Sequence, residues 1–122
     1  MGYRSDVALA MTGKTLETFR QKITELPEQT RKEVEPLLNE WADKHLTEDG
    51  SECWFWKDLK WYTGWPEHYL DIDFVDKFLD EADDEEFYFV RVGEDYDDNE
   101  IDGLWWDNPF NISFCRELVL DC

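Results

Sequence analysis

From Asp80 to Asp107 the chain reads DEADDEEFYFVRVGEDYDDNEIDGLWWD. A dense apolar run, Phe87-Tyr88-Phe89-Val90-Arg91-Val92, lies between two acidic blocks. The first block holds Asp80, Glu81, Asp83, Asp84, Glu85 and Glu86. The second holds Glu94, Asp95, Asp97, Asp98, Glu100 and Asp102, with Asp107 beyond it. Thirteen carboxylates stand against one cation, Arg91, so this segment carries a net −12 of the chain's −19. Aromatic and β-branched residues at that density predict a strand inside a sheet. The flanks predict where charge is presented to solvent.

Upstream of this strand, Phe74, Val75, Phe78, Leu79 and Ala82 form the apolar stripe of a helix that Asp71 or Asp73 can cap. Its opposite row is Asp73, Asp76, Lys77, Asp80, Glu81 and Asp84. Like charges three or four positions apart on a helix repel by a few tenths of a kcal/mol each, so the row is locally unfavourable. Before it, Cys53 to Tyr62 reads CWFWKDLKWY, a strand with a bulge expected near Lys57-Asp58.

At the start of the chain, Tyr3 to Met11 predicts a strand with Val7, Leu9 and Met11 on one face. Leu16, Phe19, Ile23 and Leu26 mark a first helix, and Pro27 opens a second. Val34, Leu37, Leu38, Trp41, Ala42 and Leu46 form that second stripe. Pro36 falls within it and predicts a kink or a fresh start. His45 lies beside the stripe and is read as a satisfied or partly exposed side chain. Thr47 to Ser51 reads as a polar turn.

Downstream, Asn108-Pro109 signals a turn and Ile112 to Leu120 a last strand. The expected fold is a single α+β domain over residues 1–122 in the order β-α-α-β-α-β-β. It is mainly an antiparallel sheet of about four strands with helices packed on one face.

Aromatic residues make up 16% of the chain and include seven Trp, which separates it from disordered acidic proteins. Net charge of −19 repels nucleic acid and anionic membranes as direct ligands and invites a cationic partner. Three cysteines, Cys53, Cys115 and Cys122, are an odd number without CxxC spacing. With no signal peptide they read as reduced thiols in a cytoplasm, and zinc is not expected.

Asp95, Asp97 and Asn99 match positions 1, 3 and 5 of an EF-hand loop. Glu100 then replaces the turn-forming glycine and Trp106 the bidentate glutamate, so a specific calcium site is not expected. Neither His45 nor His68 sits in a catalytic signature, and phosphate-binding and dinucleotide motifs are absent. The chain reads as a non-enzymatic protein without cofactors. Arg91 is read as a structural ion pair within the acidic segment. Trp54, Trp56, Trp61, Trp65, Trp105 and Trp106 exceed what so small a core holds easily, so some are expected at a binding surface.

Two stretches carry a resemblance. Met1-Gly2-Tyr3-Arg4-Ser5-Asp6-Val7-Ala8 resembles the start of a loose group of small phage and prophage proteins. Lys60-Trp61-Tyr62 and Val90-Arg91-Val92-Gly93-Glu94-Asp95-Tyr96-Asp97-Asp98 resemble that group's second half. The resemblance covers about half the chain and implies a phage origin and a bacterial cytoplasm. It carries no activity or functional residue.

Phage origin and acidity together lead to the expectation of a DNA-mimic inhibitor. Its partner would be a basic nucleic-acid-binding host protein of a defence system, as for an anti-CRISPR or anti-restriction protein. The contact residues expected from the third helix and the turn after it are Asp73, Asp76, Asp80, Glu81, Asp83 and Asp84. From the second block they are Glu94, Asp95, Asp97, Asp98, Glu100 and Asp102. Because clustered like charges repel, amides at Asp95, Asp97, Asp98 and Glu100 are expected to raise stability. The alternative is an adaptor or regulator that binds its partner through exposed tryptophans.

Overall fold

The computed structural model describes residues 4–61, 69–94, 98–105, 107–110, 112–114 and 118–119. Strand β1 (Ser5–Met11) leads through Thr12 into α1 (Gly13–Thr24), followed by α2 (Glu28–Asn39). A hairpin of β2 (Lys44–Glu48) and β3 (Ser51–Leu59) comes next, then α3 (Leu70–Glu81) and a single 3₁₀ turn (Asp84–Glu86). The chain continues through β4 (Phe87–Gly93) and β5 (Asn99–Asp102) to two short strands, β6 (Ser113–Phe114) and β7 (Leu118–Val119).

The α+β class holds. The sheet has five strands in the order β2-β3-β1-β4-β5, every neighbouring pair antiparallel. Two strands were not expected. The stretch read as the end of a helical stripe is β2, because α2 stops three residues after Pro36, whose carbonyl accepts the Glu40 and Trp41 N–H groups. Asp49 (φ 50°) and Gly50 (φ 82°) then form a two-residue turn between Glu48 and Ser51. Positive φ at both positions matches the twist of a hairpin. The second addition is β5, which lies in the second acidic block. The single last strand expected over Ile112 to Leu120 is replaced by β6 and β7, paired with each other.

β1 is central and buried on both faces. Val7, Leu9 and Met11 join Trp54, Trp56, Phe87 and Phe89 on the face covered by the helices. There the Trp56 indole N–H donates to the Leu37 carbonyl at 2.8 Å, fixing α2 on the sheet. Ala8, Ala10, Cys53, Phe55 and Val90 form the other face, packed against Phe110, Trp105 and Ile112. Burial pushes the Cys53 thiol up to about 12, which suits its expected role as a small apolar residue. Cys115 and Cys122 lie outside the described residues.

The bulge lies where it was expected. The register passes from Val7↔Trp56 to Ser5↔Leu59, so β3 holds one more residue than β1 over this span. Asp58 takes a φ of 57°. Its N–H donates to Asp6 Oδ1 at 3.0 Å, and the Lys57 N–H donates to Asp43 Oδ2 at 2.7 Å.

Two further expectations are corrected. Tyr69, not Asp71 or Asp73, occupies the N-cap of α3. Both aspartates lie in its first turn; Asp71 is buried there, which raises its carboxyl, although its Oδ1 accepts the Ile72 N–H at 2.8 Å. Trp41, read as part of the second helical stripe, is 56% exposed; Trp54, Trp56 and Trp61 are buried, which leaves the expectation of some surface tryptophans standing. His45 is satisfied and partly exposed, as expected, though on β2: it stacks on Trp54 at 4.9 Å, with Nε2 2.6 Å from Glu52 Oε1. The same buried carboxylate takes Arg20 at 2.5 Å, so Glu52 ties the hairpin to α1. No described helix is long and apolar enough to cross a membrane.

Candidate acidic interaction face

α3 buries Ile72, Val75, Phe78 and Leu79, which leaves Asp73, Asp76, Lys77 and Asp80 on its outer side. β5 adds a second row. Cross-strand partners share a face of a sheet, so Glu100 and Asp102 lie on the same side as their partners Arg91 and Phe89. Phe89 belongs to the helix-side core, so these carboxylates are directed toward the helix layer beside α3.

Electrostatics place the two rows together. The Asp76 carboxyl is held above its ordinary value by partial burial and then by Asp80, Glu100, Asp73 and Asp102. Asp102 is raised by partial burial, against the Gly103 N–H that it accepts, and then by Asp84, Glu100 and Asp80. Six of the expected residues therefore share one field: Asp73, Asp76, Asp80, Asp84, Glu100 and Asp102. They come from elements about twenty positions apart, brought together by the pairing of β5 on β4.

The remaining expected residues are placed differently. Asp98 takes Arg91 in a bidentate pair, Oδ1 from Nη2 at 2.8 Å and Oδ2 from Nη1 at 3.2 Å. Arg91 Nε also donates to Glu100 Oε1 at 3.2 Å, and Nη1 to Ser5 Oγ at 3.1 Å. Arg91 is thus the structural ion pair expected, and it neutralises part of the second block. Glu94 accepts the Arg4 backbone N–H at the far end of β4.

Asp83 caps the 3₁₀ turn by accepting the Glu85 N–H at 3.0 Å. Glu81 and Asp83 also border a groove of about 350 Å³ whose opposite wall carries Lys14 and Lys22 of α1. That groove carries both signs of charge. Asp95 and Asp97 lie outside the described residues.

One cation is set within the α3 row, Lys77, paired with Asp73 at 3.1 Å. Among the described residues no group of three or more His, Cys, Asp or Glu is arranged to hold a metal ion. Asn99, read from sequence as an EF-hand-like position, is paired with Val92 in the sheet.

The sequence reading missed β5 and its place at the end of the sheet order. Alternation of Glu100, Ile101 and Asp102 was the available signal, masked by the acidity around it. A scan against family models and searches of curated proteins and of solved structures give no match to this chain, so the face is read from its own chemistry.

Proposed function

We propose that the chain is a phage-encoded acidic decoy, acting in the bacterial cytoplasm, that occupies the nucleic-acid site of a basic host defence protein. The anti-CRISPR and anti-restriction types are the models for such a role. The observation that supports it is the convergence of α3 and β5 carboxylates on one face, where Asp76 is raised by partial burial and then by four other acidic residues. Arg91 and Lys77 pair some of these carboxylates; the rest repel one another, and that arrangement points to an external cation.

Spacing is of the right order. Asp73, Asp76 and Asp80 advance along α3 at roughly 5 Å per carboxylate, given the 1.5 Å helical rise. Duplex DNA presents one charge per ~3.4 Å of axis on each strand. A row of fixed carboxylates on a helix, with a second row on a strand, would meet lysines and arginines already arranged for phosphates.

The tryptophan-based adaptor is less supported. Trp54, Trp56 and Trp61 are buried and Trp105 packs against the second core, which leaves Trp41 as the exposed one among the described tryptophans.

The test is elution. Bacterial lysate proteins held on DNA-cellulose are challenged with the chain at 100 mM salt, and the eluted proteins are identified and purified. The reading expects a defined basic protein to be released, and its complex with the chain to weaken steeply between 50 and 500 mM salt. Release of nothing, or tight binding of the chain itself to DNA, would remove it.

A further inference from the structure

We propose that the outer edge of β5 is a docking edge for an extended segment of the partner in which basic and apolar residues alternate. Among the described residues, β5 ends the sheet order and is hydrogen-bonded on one side only, to β4. An edge strand of this kind offers unpaired backbone N–H and C=O groups as a template for another strand.

Its two faces differ in chemistry. Glu100 and Asp102 lie on the helix side, next to Asp76 and Asp80 of α3, while Ile101 lies on the other and is 53% exposed. Leu104, 57% exposed, lies past the turn at Gly103 and is not part of this edge. A strand added at the usual ~4.8 Å separation sets its side chains alternately on these two faces. Its residues on the helix side would meet carboxylates from both β5 and α3, so they should be Lys or Arg. Its residues on the other side would cover Ile101, so they should be aliphatic or aromatic.

Charge complementarity selects this occupant over two others. A second copy of the chain pairing β5 to β5 would set Glu100 and Asp102 against the same carboxylates. Nucleic acid has neither the hydrogen-bonding ladder nor the charge. The opposite edge, β2, carries Lys44, His45, Leu46, Thr47 and Glu48 and has no such division. The inference rests on the proposed basic partner and adds the form in which that partner is recognised: by period-two order, not by charge alone.

The experiment uses two fluorescein-labelled peptides of identical composition, one alternating Lys-Val four times and one with four Lys followed by four Val. Binding to the full chain is read by anisotropy, and the contacted amides by two-dimensional NMR. The alternating peptide should bind at least about tenfold tighter, because only it can satisfy both faces at once. N-methylation of one alternate set of its amides should abolish that advantage, and methylation of the other set should leave it. Ile101→Ser, at an exposed position, should weaken the alternating peptide about fivefold and leave the block peptide unchanged.

Equal affinities for the two peptides, or indifference to both methylation patterns, would overturn the inference. So would a dimer in sedimentation that Ile101→Lys dissolves, which would assign the edge to a second copy. Failure of the DNA-cellulose elution with a positive peptide result would remove the decoy reading and leave the docking edge standing.

Discussion

Gly103 has a φ of +86°, and a Cβ placed there would lie 2.2 Å from the Phe87 carbonyl oxygen. That same carbonyl accepts the Trp105 N–H at 3.1 Å, and Asp84 O accepts the Leu104 N–H at 2.6 Å. The chain therefore crosses the start of β4 at a place where a side chain has no room. Gly103→Ala combines a left-handed backbone with a clash against backbone, so it should cost more than about 3 kcal/mol in urea unfolding. A loss under 1 kcal/mol would show that the crossing relaxes easily. Arg91 supplies a second residue-scale prediction, and it reverses one expectation drawn from charge density. Asp98 and Glu100 are partners of a guanidinium that is largely buried, so their amides remove ion pairs as well as repulsion. Asp98→Asn should lower stability by about 1 kcal/mol, the discounted value for a partly exposed bidentate pair. Asp80→Asn, with no pair to lose among the described ion pairs, should raise it by a few tenths. Thermal melts of the two variants side by side decide the matter, and a stabilised Asp98→Asn would dismiss Arg91 as an anchor.

At the scale of elements, α3 and β5 repel each other across the acidic face. Asp76 and Asp102 are held above their ordinary values by partial burial and by neighbouring carboxylates. The native state therefore keeps more protons than the unfolded chain between the ordinary carboxylate value and the raised native one. Stability contributed by these groups is present below that window and is lost as pH rises through it. The double variant Asp76→Asn/Asp102→Asn should accordingly melt higher than the parent at pH 7, with the gap closing as pH falls toward 4. A gap that widens on acidification would reverse the assigned direction. How far these elements were legible in sequence depended on what drives each. α1 and α3 follow from apolar periodicity, and β1, β3 and β4 from runs that a two-sided core requires. β2 is exposed along its whole length, so no apolar pattern marks it; Asp49-Gly50 was the signal that a hairpin stood there. β5 was hidden because its alternation has a single apolar residue, Ile101. The acidic face was legible as two blocks, but their meeting is a product of sheet register, which no local pattern carries.

For the whole molecule, a charge of −19 over 7392 Å² of surface makes ionic strength a control on two quantities at once. Raising salt from 20 to 300 mM should stabilise the fold, by roughly 3–5 °C in melting temperature, as self-repulsion is screened. The same change should weaken binding to a basic partner. A melting temperature that falls with added salt would mean that ion pairs such as Arg20–Glu52 outweigh repulsion. The central place of β1 has a different consequence, for the order in which the protein is made. Met11 pairs with Phe87, seventy-six positions later. At a synthesis rate of ~5–20 residues per second, an apolar strand that belongs at the middle of the sheet waits roughly 4–15 s for its second neighbour. A chain ending at Ala82 has β1, β3 and all three helices but no β4, and it should show no cooperative melt. During that interval the nascent polypeptide offers the unpaired side of Val7-Ala8-Leu9-Ala10-Met11 to whatever holds unfolded chains at the ribosome.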